Sequence, residues 1–259
     1  MSEWNGKTVI ITGGSGGMGR AAAKKFLAEG AYVLIADINQ DRMNQTIHDL
    51  SKLPGIISAI YTDVSKISDC EATIKQAIEN TGRLDALINT AGVWVEGMSA
   101  DMTEEMWNHT IDINLKGTFF MCRYAIPELA KTCGCIVNIS SDAGLVGNAC
   151  AAIYCASKGG VTIMTKALAI ELAPLGIRAN VLCPGDVDTP MIQYQAEQYG
   201  NGDPEGYIKN LLANYPQQDR ARFTRADEIA ESIYFLASPK VQAITGATLS
   251  IDFGITAGY

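Results

Sequence analysis

The chain has 259 residues, 47% of them hydrophobic, which is enough for one α/β domain with a substantial core. Acidic side chains outnumber basic ones by 28 to 20, and the formal net charge is −8 at pH 7. Such a surface repels phosphate backbones and anionic lipid, which argues against nucleic acid and membrane as partners. Because the sequence shows neither a signal peptide nor a stretch apolar enough to span a bilayer, we expect a cytoplasmic protein.

Short apolar runs rich in Val and Ile alternate with longer stretches of helical period, the pattern of a parallel sheet covered on both faces. The predicted strands are residues 8–12, 32–36, 56–61, 86–89, 136–140, 178–182 and 248–251. Helical spacing is clearest over residues 20–29, 65–80, 104–130 and 151–174. We therefore expect a single α/β domain over residues 1–259, with a seven-stranded, mostly parallel sheet flanked by helices on both faces.

One irregular region interrupts this alternation, at residues 186–225. It contains several prolines, three glycines and five aromatic residues, which predicts short helices between a strand and the last helix. An insertion at this point is where an α/β sheet places substrate contacts and lids. We expect a substrate loop or lid here.

The first predicted strand runs into a glycine-rich turn and then into a helical pattern. Glycine permits positive φ and close approach of the backbone, and the helix N-terminus offers free N–H groups to a phosphate. A flexible turn is the simpler alternative, but the position in the first βαβ unit favours binding of a dinucleotide pyrophosphate. The predicted contacts are Gly13, Ser15, Gly17, Met18 and Gly19.

Asp37 ends the second predicted strand, where a carboxylate can accept hydrogen bonds from both hydroxyls of an adenosine ribose. This favours NAD over NADP, because a 2′-phosphate would meet a carboxylate and neither Gly16 nor Ile38 offers it a basic partner. A solvated residue at a strand end is the alternative.

The third and fourth strands end at the same edge of the predicted sheet. The residues following them are assigned to the cofactor on that ground, although all are also ordinary turn residues: Asp63, Val64, Asn89, Ala91 and Gly92.

The strongest local signal for chemistry is Tyr154-Cys-Ala-Ser-Lys158, which follows Ser141 at the end of the fifth strand. On a helix, Tyr154 and Lys158 lie one turn apart on the same face. A nearby ammonium lowers the pKa of a tyrosine from about 10 toward working pH, which makes the phenol a usable acid or base. The spacing is also common by chance on helix surfaces.

Two motifs together, Thr12-Gly-x3-Gly-x-Gly19 and Ser141-x12-Tyr154-x3-Lys158, strongly resemble the short-chain dehydrogenase/reductase family over essentially the whole chain. The resemblance implies a Rossmann-type doubly wound fold. It also implies that the tyrosine is the acid/base, the lysine lowers its pKa and holds the nicotinamide ribose, and the serine binds the substrate oxygen. Asn114 matches the asparagine that completes the family's catalytic set; polarity of a helix surface is its alternative role.

The segment from Asn180 to Thr189 resembles another family motif and implies cofactor contacts from Pro184, Gly185, Val187 and Thr189. Two residues depart from the family pattern. Thr90 replaces an asparagine, which we expect to loosen the central turn. Phe253 replaces a glycine, which we expect to alter packing near the C-terminus. The resemblance also implies a homo-oligomer, a dimer or homotetramer.

Position along the chain assigns six residues to the substrate: Ser141, Trp94, Val146, Cys150, Asp186 and Met191. This largely apolar set suits a cyclic alcohol, a hydroxysteroid or a modest aliphatic alcohol, although Asp186 and the nearby tyrosines would also suit a polyol. The predicted function is NAD(H)-dependent interconversion of a secondary alcohol and a ketone.

Three alternative functions have less support in the sequence. Asp37 and the acidic surface oppose an NADPH-dependent carbonyl or 3-oxoacyl reductase, and the intact Ser141, Tyr154 and Lys158 oppose a non-catalytic NAD(H)-binding regulator. A zinc-dependent alcohol dehydrogenase needs more ligands in suitable spacing than the scattered cysteines and two histidines provide. We expect reduced thiols and no metal site.

Overall fold

Seven parallel strands form the central sheet of the structure, a computed structural model that describes residues 2–258. In chain order, the strands are β1 (Thr8–Thr12), β2 (Tyr32–Asp37), β3 (Ile56–Tyr61), β4 (Ala86–Asn89), β5 (Cys135–Ile139), β6 (Arg178–Pro184), β7 (Val187–Asp188), β8 (Thr224–Arg225) and β9 (Thr248–Ile251). The sheet order is β3-β2-β1-β4-β5-β6-β9, and β7 pairs with β8 in a separate short ribbon. The predicted fold class is confirmed.

Helices cover both faces of this sheet. They are α1 (Gly17–Ala28), α2 (Gln40–Leu50), α3 (Ile67–Thr81), α4 (Glu104–Ile111), α5 (Thr118–Thr132), α6 (Ala152–Leu172), α7 (Pro190–Tyr199), α8 (Pro204–Ala213) and α9 (Ala226–Ala237). Helices α1, α2 and α9 pack on one face, and α3, α5 and α6 pack on the other. None of the described helices is both long and apolar enough to cross a membrane.

The central strands, such as β1, are largely apolar because they are buried on both faces, whereas the edge strands β3 and β9 are only partly buried. In β1, Val9 and Ile11 point into the core beneath α1 and α9, whereas Ile10 points into the core beneath α3 and α5. All three side chains have no exposed surface. Alternation along one strand therefore supplies both hydrophobic layers.

The sheet order reverses between β1 and β4, since β1 is followed on one side by β2 and on the other by β4. At such a switch point the loops leave the carboxyl ends of neighbouring strands in opposite directions and open a crevice. The glycine-rich turn after β1 and the turn after β4 lie at this crevice.

The predicted helix over residues 104–130 is interrupted. The chain forms α4, then a wide π-helical turn over Asp112–Gly117, then α5. Such a turn displaces the helix register by one residue and often marks a functional position. Here its effect is to carry Asn114, which is 1% exposed, into the interior.

The region 186–225 contains the expected short helices, α7 and α8, together with the ribbon strands. Phe253, which follows β9, packs against this region: its carbonyl accepts a hydrogen bond from Gln217 Nε2 at 2.6 Å, and the Arg222 guanidinium lies 4.7 Å from its ring centroid. Phe253 has a φ of +54°. The glycine expected at this position is therefore replaced by a residue that holds the insertion against the C-terminal strand.

Candidate active site

Two positions in the glycine-rich turn between β1 and α1 leave no room for a side chain. Gly13 has a φ of +62°, and a Cβ atom there would lie 2.9 Å from the Cα atom of Ala91. A Cβ atom at Gly19 would meet the Gly13 carbonyl oxygen and would lie 2.7 Å from Thr90 Oγ1. The turn therefore packs directly against the chain that follows β4, and α1 begins beside the crevice with the free N–H groups of its first turn.

A cavity of about 490 Å³ runs along this turn. Most of the predicted cofactor residues line it: Gly13, Gly17, Met18, Gly19, Asp37, Asp63, Val64, Ala91, Gly92 and Thr189. A second cavity, of about 510 Å³, adjoins the first, because Met18, Trp94, Thr189 and Met191 line both. We call these the cofactor cavity and the substrate cavity.

Ser15, in the middle of the turn, tests whether a dinucleotide fits. Its hydroxyl oxygen is buried and has no hydrogen-bond partner within residues 2–258. Leaving a buried polar group unpaired costs roughly 1–3 kcal/mol, so a ligand that hydrogen-bonds this hydroxyl is favoured. With the adjacent helix N-terminus, the unpaired hydroxyl fits the pyrophosphate of a nicotinamide dinucleotide.

The carboxylate of Asp37 is fixed at the end of β2. It is 6% exposed and accepts hydrogen bonds from the backbone N–H groups of Ser15 at 3.1 Å and Asn39 at 3.0 Å. Asp37 lines the cofactor cavity, and so does Arg42 in the first turn of α2. The expectation that this end of the cavity has no basic residue is therefore wrong, because α2 begins directly after β2 and carries Arg42 to the cavity wall.

Asp63 follows β3 and is held by its own turn. Its carboxylate accepts hydrogen bonds from the Ser65 backbone N–H at 3.1 Å and hydroxyl at 2.6 Å. Burial alone would raise the pKa of Asp63, but these hydrogen bonds and the nearby Lys66 lower it. The ionised carboxylate and the neighbouring Val64 both line the cofactor cavity.

The turn after β4 differs from expectation at two residues. The Asn89 side chain donates to Asn138 Oδ1 at 2.8 Å within the sheet, and Asn89 is not part of the cavity wall. The Thr90 hydroxyl donates to the Thr12 carbonyl at the end of β1, and the Thr12 hydroxyl accepts from the Ala91 N–H at 3.2 Å. Thr90 thus ties β4 to β1, and the predicted loosening of this turn is wrong.

Tyr154 and Lys158 lie one turn apart in α6, and both are buried. Lys158 Nζ lies 5.7 Å from the centroid of the Tyr154 ring and donates to the Ile139 carbonyl at 3.0 Å. Burial lowers the pKa of Lys158 to about 8, so the ammonium still predominates at neutral pH.

The pKa of Tyr154 shifts in the direction opposite to the prediction. Burial raises it, and the carboxylates of Asp142 and Asp186 add to that rise, while the Ser141 hydroxyl opposes it. The main reason is the loss of hydration that the phenolate suffers when it is buried. A working Tyr154 therefore depends on what binds beside it.

Asn114 reaches this site from the π-helical turn. Its side chain accepts from the Val93 N–H at 2.8 Å and donates to the Val93 carbonyl at 3.0 Å. A Cβ atom at Gly92 would lie 3.2 Å from Asn114 Oδ1 and 3.4 Å from Lys158 Nζ. Asn114 is thus buried next to the lysine, and the alternative of a polar helix surface is wrong.

Two consecutive serines end β5, and their hydroxyl groups have different partners. The Ser140 hydroxyl donates to the Lys158 carbonyl at 2.8 Å, which ties β5 to α6. The Ser141 hydroxyl instead donates to Asp142 Oδ1 at 2.6 Å, and Ser141 lines the substrate cavity together with Tyr154.

The substrate cavity contains most of the residues predicted for it. These are Ser141, Trp94, Val146, Asp186 and Met191, joined by Pro184, Gly185 and Val187. Cys150 is a correction: it is exposed, with a left-handed φ of +61°, and its Sγ faces Met98 Sδ at 3.6 Å, outside the cavity wall.

The substrate cavity is more polar than the residues predicted for it imply. Several polar lining residues carried no sequence signal: Glu96, Asp142, Asn148, Gln195 and Asn214. Glu96 Oε2 accepts hydrogen bonds from Tyr207 Oη at 2.7 Å and Trp94 Nε1 at 3.1 Å. This contact joins α8 of the insertion to the chain after β4.

Within the described part of the chain, no group of three or more His, Cys, Asp or Glu side chains is arranged to hold a metal ion. The seven cysteines are all free thiols.

The fold and this site define the protein as an oxidoreductase built on a dinucleotide-binding sheet. The chain belongs to the short-chain dehydrogenase family, whose model matches residues 7–200.

Relatives span nearly the whole chain. Meso-2,3-butanediol dehydrogenase of Serratia marcescens is 35% identical over 98% of this chain and 96% of its own. The 3-oxoacyl-[acyl-carrier-protein] reductase of Thermotoga maritima is 34% identical over 96% of this chain and 98% of its own.

Solved structures agree with the fold. The crystal structure of levodione reductase is 28% identical in sequence and superposes with a TM-score of 0.94. The match covers 99% of this chain and 100% of the levodione reductase chain. The structure of ElxO with NADP bound, 31% identical, has a TM-score of 0.88 and covers 100% of each chain.

Proposed function

We propose that this protein interconverts a secondary alcohol and a ketone, with NAD(H) as the hydride carrier and Tyr154 as the acid/base. The observation that carries the proposal is that Ser141 and Tyr154 line the substrate cavity together, with Lys158 buried one helical turn from Tyr154. The Tyr154 ring packs on Trp94, with ring centroids 4.4 Å apart, and Trp94 lines both cavities.

Residues of the cofactor cavity, together with Ser15, Lys158 and Val187 beside it, would hold the dinucleotide. The glycine turn and Ser15 suit the pyrophosphate, Asp37 suits the adenosine ribose, and Lys158 suits the nicotinamide ribose. Val187 and Thr189 are assigned to the carboxamide and diphosphate. A bound nicotinamide supplies the acceptor or donor of the hydride.

The chain's own side chains handle the proton. Ser141 holds the substrate oxygen, exchanging its hydrogen bond with Asp142 for one with the substrate. Tyr154 takes the proton from the alcohol during oxidation and returns it during reduction. Lys158, protonated below about pH 8, favours the phenolate that this transfer requires. Asn114 fixes the backbone of Val93 beside the lysine.

The preference for NAD rests on Asp37, whose negative charge is fixed in place and would repel a 2′-phosphate. A second candidate is an NADPH-dependent carbonyl reductase, and the presence of Arg42 on the same wall favours it. The non-catalytic alternative is opposed by the complete set of four residues, Asn114, Ser141, Tyr154 and Lys158.

The proposal includes a homo-oligomer. Two large apolar side chains on α6 are exposed, Ile163 at 64% and Ile170 at 79%, and Phe119 on α5 is 40% exposed. Apolar side chains of this size exposed on long helices are suited to contact with a second copy. Light scattering of the purified protein gives its mass, and a monomer at micromolar concentration would contradict this part of the proposal.

A direct test measures NADH or NADPH absorbance with cyclohexanol, a hydroxysteroid and a polyol, each with NAD⁺ and with NADP⁺. The proposal expects turnover of at least one alcohol with NAD⁺ at a kcat/KM above that with NADP⁺. Turnover with NADP⁺ alone would favour the second candidate, and no turnover with either cofactor would contradict both.

A further inference from the structure

Three carboxylates stand around the substrate cavity and none has a basic partner there. They are Glu96, Asp142 and Asp186, and no Lys, Arg or His belongs to the described residues that line this cavity. The three do not gather into a cation-binding cluster. They are instead spread along the wall on three separate segments, after β4, after β5 and after β6.

Each of these carboxylates uses only one of its two oxygens for the protein. Glu96 Oε2 accepts from Tyr207 and Trp94, Asp142 Oδ1 accepts from Ser141, and Asp186 Oδ2 accepts from Tyr215 Oη at 3.1 Å. The second oxygen of each receives no hydrogen bond from the residues that the structure describes.

Two of the carboxylates lie near the reacting end of the cavity. Asp142 is bonded to Ser141, and the charges of both Asp142 and Asp186 act on Tyr154. Burial and the neighbouring charge of Asp142 raise the pKa of Asp186 to about 6. This rise is consistent with two negative charges that have no basic side chain beside them in the cavity wall.

We infer that the substrate carries a second hydrogen-bond donor, a hydroxyl or an ammonium group, close to the reacting alcohol, and carries no anionic group there. The inference rests on the proposed function and narrows it. A donor beside the reacting carbon would hydrogen-bond the free oxygens of Asp142 and Asp186. A bound apolar alcohol would displace water from these oxygens and leave them without a hydrogen-bond partner.

The cost of desolvating the cavity carboxylates disfavours apolar substrates. A site that hydrogen-bonds a substrate group rejects analogues that lack it by several orders of magnitude, because its own polar groups are left unpaired. The same carboxylates repel anionic substrates, because like charges in a partly buried cavity interact more strongly than in water. Amide side chains on the same wall, Asn148, Gln195 and Asn214, offer further partners to a polar substrate.

The test compares four small secondary alcohols of similar size with NAD⁺, following NADH. The alcohol 2-butanol has no second donor. The other three carry a second hydroxyl (1,2-propanediol), an ammonium (1-amino-2-propanol) or a carboxylate (lactate). We expect kcat/KM for the diol or the amine to exceed that for both 2-butanol and lactate at least tenfold. A smaller excess overturns the inference. The better of the diol and the amine identifies the donor as hydroxyl or ammonium.

Isosteric variants locate the effect. Glu96→Gln, Asp142→Asn and Asp186→Asn keep size but remove charge, and at least one should lower the ratio of diol to 2-butanol kcat/KM threefold or more. Glu71→Gln, on the exposed side of α3, removes the same charge away from the cavity and should leave the ratio unchanged. An unchanged ratio in all three cavity variants, with circular dichroism showing that they fold, overturns the inference.

The same assay separates failure of this inference from failure of the proposed function. Oxidation of cyclohexanol or 2-butanol without a preference for the second donor leaves the dehydrogenase activity standing and overturns the substrate class. Absence of oxidation of every alcohol with both cofactors contradicts the proposed function itself.

Discussion

Replacing Asp37 with asparagine changes the charge of the cofactor cavity with little change in shape. The carboxylate accepts two backbone hydrogen bonds, from Ser15 and Asn39, and an asparagine oxygen can still accept one of them. The variant Asp37→Asn therefore keeps part of the anchoring of the turn while removing the charge that would face a 2′-phosphate.

The size of the effect follows from Coulomb's law. Two unit charges at about 5–6 Å interact by about 3 kcal/mol at an effective dielectric constant of about 20. Each 1.4 kcal/mol is about a tenfold change in an equilibrium constant, so the ratio of kcat/KM for NAD⁺ to that for NADP⁺ should fall by about two orders of magnitude. Arg42 on the same wall then becomes the partner of the 2′-phosphate, and Arg42→Ala in the Asp37→Asn background should lose most of the gained NADP⁺ activity.

The assay is initial-rate kinetics with both cofactors and one saturating alcohol. The matched control is Asp41→Asn, which removes an exposed charge from the start of α2 and should shift the ratio less than twofold. A shift under threefold in Asp37→Asn, or an equal shift in the control, would refute the assignment of cofactor preference to Asp37.

Three other predictions concern stability and the cavity wall. Phe253→Gly removes a left-handed backbone strain of about 1 kcal/mol that Phe253→Ala retains, so the glycine variant should melt higher than the alanine variant in thermal unfolding; equal melting temperatures would show that the φ of +54° carries no strain. Asp186→Asn removes a carboxyl whose folded pKa is raised to about 6 and whose ionised form therefore opposes folding. Its stability relative to the parent should rise between about pH 4 and pH 6 by up to about 3 kcal/mol and then level off in urea unfolding, and a gain that is independent of pH would contradict this. Cys150→Ser should leave KM for the alcohol within about twofold, because Cys150 is exposed outside the cavity; a larger change would place it in the substrate site.

The seven strands of the central sheet could be predicted because each is a short, largely apolar run between stretches of helical period. Helix α2 was not singled out, since its apolar side is narrow: only Met43, Thr46 and Leu50 are buried. That omission concealed Arg42. The π-helical turn at Asp112–Gly117 also escaped prediction, because apolar spacing continues through it while the hydrogen-bond register changes.

The candidate acid/base residues were accessible to sequence because they are close together in the chain. Tyr154 and Lys158 belong to one helix and Ser141 to the strand just before it. The carboxylates of the substrate cavity were not accessible in this way. Glu96 contacts Tyr207 only when α8 folds back over the sheet, and no sequence pattern joins these two residues, which are 111 positions apart. The residues that select the substrate are thus brought together by contacts between distant parts of the chain, whereas Ser141, Tyr154 and Lys158 are close together in the sequence.

The same distinction explains the pKa of Tyr154. The i,i+4 spacing predicts an ammonium beside the phenol, and the structure has one. What spacing cannot give is the cost of burying the phenolate, which reverses the direction of the shift.

Substitution of Tyr154 by phenylalanine tests the central claim most directly. The measurement pairs kcat for alcohol oxidation with the Kd for NADH from fluorescence titration, in Tyr154→Phe and in the control Tyr61→Phe, which alters an exposed phenol at the end of β3. Loss of a positioned acid/base should lower kcat by about two to four orders of magnitude and leave the Kd for NADH within about threefold, while the control matches the parent. Turnover of Tyr154→Phe within tenfold of the parent would contradict the claim that Tyr154 moves the proton.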